Sequence, residues 1–370
     1  MAAPTILMLN HNLVRRGTFF RCIQFARCLV KSGFDVTLIS ASDQPRLRTR
    51  RSFDHSADAT HQALTIIETP RFGSVGQHDG GWAPVDIVFR LGHVLRHRYD
   101  IVHAFDHRPN VSFPWFLSRC AHKSIHVADW ADWWCRGGII TSRRRFQFLD
   151  GWEAALEEGI KRAADGVTVT SRVLEQRALS LGILPEKILY LPSGADTERI
   201  KPLDRTECRK RLNIPLGARV VSFVGHALWD LDFLVNAFRI VSKADPKAML
   251  YLVGSEWKEM KGVLSAGYSG LHIRSAGLVS PEQLPMHLAV ADVHALPLQD
   301  TLVNQARGPI KLGDYMASGR PIVTQGVGDT GALVEKEAIG LVTGTTAEDF
   351  ARGMATLLAD PELCVQLGHR

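Results

Sequence analysis

The chain lacks any apolar run approaching the ~20 residues that cross a bilayer, so it offers no candidate membrane-spanning helix. It also lacks a charged segment ahead of its first apolar stretch, and "MAAPTILMLNHN" therefore reads as an opening β-strand rather than a signal peptide. Cysteine is sparse. Cys22, Cys28, Cys120, Cys135, Cys208 and Cys364 are scattered without one Cys-x-x-Cys pair, which excludes the common zinc spacings and a disulfide framework. The expected compartment is a reducing cytoplasm. Two nucleotide fingerprints are missing as well. No G-x-G-x-x-G follows a strand with an acidic residue about 20 positions on, and no G-x-x-x-x-G-K-[ST] occurs, so dinucleotide-dehydrogenase and P-loop readings both fall.

What is present describes an ordinary folded protein, 370 residues long and 22% charged, a length that fits two domains better than one. Its charge is uneven. Residues 1–200 hold 26 Lys+Arg against 20 Asp+Glu, a net of +6, which leaves 18 against 18 for the remainder. All the excess positive charge lies in the first half, which points to an anionic partner there, a phosphate-bearing acceptor or a lipid surface at the inner face of the membrane. The arginines are dispersed and no nucleic-acid motif accompanies them, so nucleic acid is not expected.

Short apolar strands alternate with helix-length segments from the start: "TILMLN", then "FFRCIQFARCLVKSG", then "FDVTLIS". The helical segment sets Phe19, Ile23, Ala26 and Val30 on one face, with Arg21, Gln24, Arg27 and Lys31 elsewhere. "DIVHAF", "KSIHVAD", "GVTVT" and "KILYLP" continue the rhythm, which a parallel sheet requires because each parallel pair needs a crossover. The stretch 192–219, rich in charge, Pro and Gly, interrupts it as a linker with a short lead-in helix. "VVSFVG", "MLYLVG", "LHIRSAG", "VHALPL" and "RPIVT" restart it. The expected fold is α/β, two Rossmann-like parallel-sheet domains over 1–200 and 201–370, facing across a cleft.

The segment "RGPIKLGDYMASGRPIVTQGVGDTG" (307–331) carries the sharpest chemistry. Pro309 suits the first turn of a helix that runs to Gly319, and helix N-termini attract phosphate. Lys311 lies in that turn and Arg307 just before it, both within reach of a diphosphate. Asp314 follows Lys311 by three residues on the same face, where a carboxylate accepts hydrogen bonds from a ribose diol. The competing reading is a solvated i,i+3 pair worth roughly a few tenths of a kcal/mol. "DLD" (230–232) opens a helix, where Asp caps free N–H groups, so no metal and no cofactor is expected.

On these residues the chain resembles the retaining glycosyltransferases of the GT-B fold, family 4 type, over nearly its whole length. "LPSGADTERIKP", "VVSFVGHALWDLDFLVNAF" and "ADVHALPL…KLGDYMASGRPIVTQGVGD" carry the resemblance, the last most specifically. It implies transfer of a sugar from a nucleotide diphosphate sugar to a saccharide or lipid-linked acceptor hydroxyl. Lys311 and Arg307 would stabilise the leaving diphosphate. Asp314, Asn304, Gly225, His226, Gly17 and Gly328 would serve the donor, with Gly17 letting the backbone approach the reacting sugar. Two features depart from the family pattern. Asp314 and Ala306 stand where two glutamates are common, and His226, Trp229 and Asp230 stand where Arg and Lys are common. "VADWADWWCRGG" has Ala131 near a usual histidine, which makes Asp129 and Asp132 the candidates for contacting hydroxyls. Arg21, Asp106, Trp130 and Trp133 are the acceptor-side candidates, the Trp rings as sugar platforms or simply as core. Arg143, Arg144 and Arg145 form a basic loop, a solvated surface or a lipid contact. Family members usually continue past the position of "PELCVQLGHR" into a helix crossing back to the first domain. A nucleotide-sugar 2-epimerase of similar fold and a non-catalytic nucleotide- or glycan-binding relative are the alternative readings.

Overall fold

The opening strand, β1 (Thr5–Leu13), is buried at nearly every position, as a strand covered on both faces must be. The computed structural model describes residues 3–54, 64–71, 80–140, 147–225, 228–254 and 270–370. They fall into two compact units. The first is Met1–Ser193 with Ala306–Gly308, the second Gly194–Gln305 with Pro309–Arg370. The division falls inside the segment read as a linker, ahead of residue 200, because the short helix at 205–211 packs with the strands that follow it.

In the first unit β1 is followed by α1 (Phe19–Lys31), β2 (Asp35–Ala41), β3 (Arg50–Asp54), β4 (Leu64–Thr69) and α2 (Pro84–Arg96). Then come β5 (Ile101–Phe105), α3 (Pro109–Ala121), β6 (Ile125–Trp130), α4 (Gln147–Ala163), β7 (Gly166–Val169), α5 (Arg172–Ser180) and β8 (Ile188–Tyr190). The sheet runs β3-β4-β2-β1-β5-β6-β7-β8, parallel except for the β3–β4 edge pair. Met8 on β1 faces Leu38 on one side and His103 on the other. Chain order reverses between β1 and β5, so a crevice is expected there beyond the strands' C-terminal ends, the usual ligand edge of an open sheet.

The second unit repeats the plan. Its elements are α6 (Arg205–Arg211), β9 (Arg219–Val224), α7 (Leu228–Ala244), β10 (Ala248–Val253), β11 (Ile273–Gly277), α8 (Leu284–Ala289) and β12 (Val293–Leu296). They continue with α9 (Leu302–Ala306), α10 (Ile310–Ala317), β13 (Ile322–Gln325), α11 (Gly328–Lys336), β14 (Gly340–Thr343), α12 (Ala347–Ala359) and α13 (Pro361–His369). The parallel sheet runs β11-β10-β9-β12-β13-β14, with its own reversal between β9 and β12.

The structure corrects the sequence-based pattern in two places. Arg21, expected on the outer face of α1, is 1% exposed. β3, β4 and β14 were absent from the expected alternation. β3 ("RRSFD") is a charged antiparallel edge with no buried residue, and β14 is four half-buried residues, so neither carries a clear apolar signal.

Candidate active site

In the second unit the site is built where β9 ends. Gly225 follows Val224 with φ +142°, and a Cβ there would come 3.1 Å from the Lys311 Nζ. The Lys311 ammonium lies 4.0 Å above the Phe223 ring centroid, so the strand end and its glycine turn hold the cation in place. Pro309 is the N-cap of α10 rather than part of its first turn, which leaves Ile310 and Lys311 to open the helix. A Cβ on Gly313 would sit 2.8 Å from the Gly194 carbonyl carbon, so α10 can lie this close to the chain at 194–195 only with glycine there.

Asp314 projects from the same helix. Burial, reinforced by the nearby Asp196 charge, pushes its carboxyl up to about 7. Near neutrality it is therefore poised between carboxyl and carboxylate, able to donate to one hydroxyl of a diol and accept from the other. A hydrogen-bonded network reaching β9 and β12 fixes α10. The Val224 N–H donates to Tyr315 Oη at 2.8 Å. The Tyr315 ring stacks on His294 at 4.1 Å and 6°. His294 bridges Ser222 Oγ at 2.6 Å and Ser318 Oγ at 2.9 Å, and burial lowers its pKa to about 3, which keeps it neutral. The only sequence signal for this network is the tyrosine next to Asp314.

Asn304 is 4% exposed and donates to the Gln299 carbonyl at 2.8 Å, closing the turn into α9. Gly328 has φ +55°, and a Cβ would meet the Gln305 carbonyl oxygen at 2.7 Å, so its glycine serves tight packing of that turn. His226 lies outside the described residues, as do Arg143, Arg144 and Arg145. Asp230 sits in the first turn of α7 and is buried.

The first unit gathers its polar residues at the C-terminal ends of β1, β5 and β6. Asp129 is fully buried. Arg21 grips it in a bidentate pair, Nε to Oδ2 and Nη2 to Oδ1, both at 2.9 Å, and Thr168 Oγ1 donates to Oδ1. Burial opposes ionisation of Asp129, but the Arg21 guanidinium holds its carboxyl below the usual range. Arg21 also donates to the Leu191 carbonyl at 2.8 Å. Both oxygens of Asp129 are taken, so this pair is a structural brace and neither residue presents a group to an acceptor. Trp130 needs the same correction. It is 1% exposed, donates to Glu157 at 3.0 Å and lies under Arg177 at 4.7 Å, leaving no open face for a sugar ring. Trp133 is half-buried, with the Arg177 guanidinium 4.1 Å over its ring.

Asp106 ends β5 at φ +80°, an uncommon conformation for a non-glycine residue. Its Oδ1 accepts from the His107 N–H at 2.7 Å and faces His107 Nδ1 at 2.6 Å, while Oδ2 lies 3.3 Å from His11 Nδ1. Burial raises the carboxyl's pKa, but the two imidazoles outweigh it and hold Asp106 well below the usual range. Among the described residues, Asp132 is the carboxyl of this group without such a partner. Burial and the Asp106 charge push it up to about 6, countered by Arg307, which belongs with this unit. The exposed Gly17 stands in the loop after β1 with φ +49°. Sequence reasoning missed His11, which packs with His107 and Trp134 around Asp106.

His107, Cys135 and Glu157 place one ligand atom each within 4.8 Å of one another. Yet Glu157 already accepts from Trp130, the Trp134 and Cys135 amides and Arg177. Burial and Glu157 push the Cys135 thiol far up. A neutral thiol beside a saturated carboxylate and a guanidinium fits a hydrogen-bonded cluster better than a cation site.

Comparison with known proteins agrees with this picture in both halves. Residues 21–194 match the family model "Glycosyl transferase 4-like domain", and residues 218–360 match "Glycosyl transferases group 1". A D-inositol 3-phosphate glycosyltransferase of Geodermatophilus obscurus is 30% identical over 222 residues, covering 56% of this chain and 48% of that protein. A GDP-mannose-dependent alpha-(1-6)-phosphatidylinositol monomannoside mannosyltransferase of Mycobacterium tuberculosis is 29% identical over 227 residues, covering 56% and 57%. The chain thus spans about half the length of the curated relatives it matches. Among solved structures, the sucrose-phosphate synthase of Thermosynechococcus elongatus superposes with a TM-score of 0.75 at 18% identity, over 99% of this chain and 92% of that one. WaaG, a glycosyltransferase involved in lipopolysaccharide biosynthesis, gives 0.70 at 14% identity over 98% and 93%. The fold is that of the GT-B glycosyltransferases, with a glycosyl transferase domain matched in each half.

Two outcomes follow from this geometry. Asp129→Ala leaves the Arg21 guanidinium buried and uncompensated, and should destabilise the protein by about 3–5 kcal/mol, read as a large fall in melting temperature. A change within ±1 °C would show that the pair is not a brace. For Asp314 the sign is opposite to that of a salt-bridged carboxylate. An unfolded Asp titrates near 3.9 and the folded one near 7, so the folded chain holds the extra proton between them. Its contribution to stability is full below about pH 4 and is lost as pH rises to about 7. Melting curves of wild type minus Asp314→Asn should show this slope across pH 4–7, and a flat difference would refute the raised value.

Proposed function

We propose that the chain transfers a sugar from a nucleoside diphosphate sugar to an acceptor hydroxyl, with retention at the anomeric carbon, as the family 4 type does. The observation that carries this reading is Lys311, held by the Phe223 ring and the Gly225 turn at the opening of α10. The chemical difficulty is negative charge growing on the departing diphosphate. A cation fixed in advance at a helix N-terminus meets that charge without reorganisation, an effect worth several kcal/mol. The departing phosphate itself takes the acceptor's proton, so no protein base is required. Asp314 holds the donor ribose. On the first unit, Asp132 is the carboxyl left to contact acceptor or donor hydroxyls, and Arg307, beside it, supplements the charge.

The named substrates of the curated relatives support an acceptor built on a phosphorylated cyclitol, water-soluble or lipid-linked. A lipid-linked acceptor agrees with α2, which exposes Val85, Val88 and Leu95 and ends in the exposed Arg96, with the exposed Arg98 just beyond it. No helix among the described residues is long and apolar enough to cross a membrane. Contact with an anionic bilayer in the cytoplasm would therefore be peripheral, through that face.

Lys311→Ala should lower kcat/KM by about two orders of magnitude or more while leaving the melting temperature of the free protein near wild type. Thermal shifts against UDP, GDP, ADP and their sugars identify the base, and proton NMR of the product reports the anomeric outcome. A near-normal rate for the variant would remove Lys311 from the chemistry. Conversion of the donor without any acceptor would instead favour the epimerase. For membrane contact, sedimentation with phosphatidylglycerol vesicles should deplete the protein at low salt and release it at high salt. Failure to sediment would limit the acceptor to soluble ones.

A further inference from the structure

The ligand edge of the first unit holds a cavity that donor chemistry does not use. Leu13 and Ala41, the last residues of β1 and β2, line it together with Arg71, His11, Asp86 and Asn110. Its volume is about 20 Å³, room for one oxygen-sized group, so an anionic substituent can reach in with one oxygen while the rest of the acceptor stays outside.

Arg71 is the anomaly. It follows the end of β4, is 4% exposed, and its Nη1 has no hydrogen-bond partner. Among the described residues no carboxylate forms an ion pair with it. The nearby acids are committed: Asp86 to Arg90 at 2.6 Å and to Asn110 Nδ2 at 2.7 Å, and Glu68 to Ser42 at 3.1 Å. Arginine is rarely this buried without a counter-charge, because the desolvation penalty is left unmet. Its main chain is fixed by a two-way bridge to Arg46, both bonds at 2.9 Å, so the guanidinium is presented from a settled backbone. Asn110 is 1% exposed, and its Oδ1, lining the same cavity, also has no partner. A cationic donor and a neutral acceptor left open in one small cavity complement an oxyanion that adjoins a hydroxyl.

We propose that Arg71 and Asn110 form an acceptor subsite that reads an anionic substituent, phosphate or carboxylate, on a polyhydroxylated acceptor. Arg71 pairs the oxyanion, and Asn110 Oδ1 accepts from the neighbouring hydroxyl. The inference rests on the glycosyltransferase reading and assigns its acceptor's charge.

The test is titration calorimetry on the full chain with inositol 3-phosphate, myo-inositol and glucuronate, for wild type and Arg71→Met, with the nucleotide panel run in parallel. Wild type should bind at least one of the two acids roughly 30-fold or more tighter than neutral inositol, and Arg71→Met should erase the difference. Preference for inositol 3-phosphate assigns a phosphate, and preference for glucuronate a carboxylate. The free Arg71→Met protein should melt at or above wild type, since it loses an unpaired buried charge. A clear fall would mean that Arg71 has a structural partner and would overturn the subsite. So would equal affinity for acids and inositol in wild type, or equal affinity of wild type and variant for the acids. Nucleotide binding that persists in those cases leaves the donor reading standing. Acid binding without any nucleotide response sinks the donor reading and keeps the subsite.

Discussion

The first unit depends on a buried ion pair between residues 108 positions apart in the chain, Arg21 on α1 and Asp129 on β6. Two charges removed from water are tolerable only if nearly every lone pair and N–H is met, and here they are. Thr168 from β7 and the Leu191 carbonyl beyond β8 complete the set, and Lys161 donates to the Asp129 main-chain carbonyl at 2.7 Å. Two helices, α1 and α4, and the three strands on that side of the sheet are thereby tied to a single point. The ligand edge beside it, with Asp106, His107 and Asp132, inherits its geometry from that brace.

The second unit solves the same problem with neutral groups. Ser222, His294, Ser318 and Tyr315 form a closed chain between β9, β12 and α10, and a neutral imidazole at its centre costs far less to bury than an ion pair. Its effect is to fix the helix that presents Lys311 and Asp314. Catalytic candidates and their supports are thus adjacent in sequence, Asp314 half-buried and Tyr315 fully buried.

Much of the fold was legible because parallel strands write themselves as apolar runs, and the crossover helices between them repeat at regular spacing. Charged edges such as β3 do not. The helix carrying Lys311 and Asp314 was legible too, because cation, proline and carboxylate follow each other within a few residues. What the sequence hid were partnerships across distance. Arg21 sits at a position a helical wheel assigns to the surface, and only Asp129 on another element explains its burial. The cluster "DWADWW" advertised sugar binding through its aromatics, yet Trp130 turned inward because the end of β6 is buried on both faces and Glu157 is there to receive its N–H.

Ala306–Gly308 belongs to the first unit although the chain on both sides of it belongs to the second. Ala306 is fully buried in the first unit's core, its carbonyl accepts from Ser171 Oγ at 2.5 Å, and the Gly308 carbonyl accepts from Ser193 Oγ at 3.2 Å. During synthesis the amino-terminal half therefore waits. Its last core residue emerges from the ribosome more than a hundred residues after Ser193, so this unit's core is complete only late in translation. Cutting the chain between the units would leave that core with a hole.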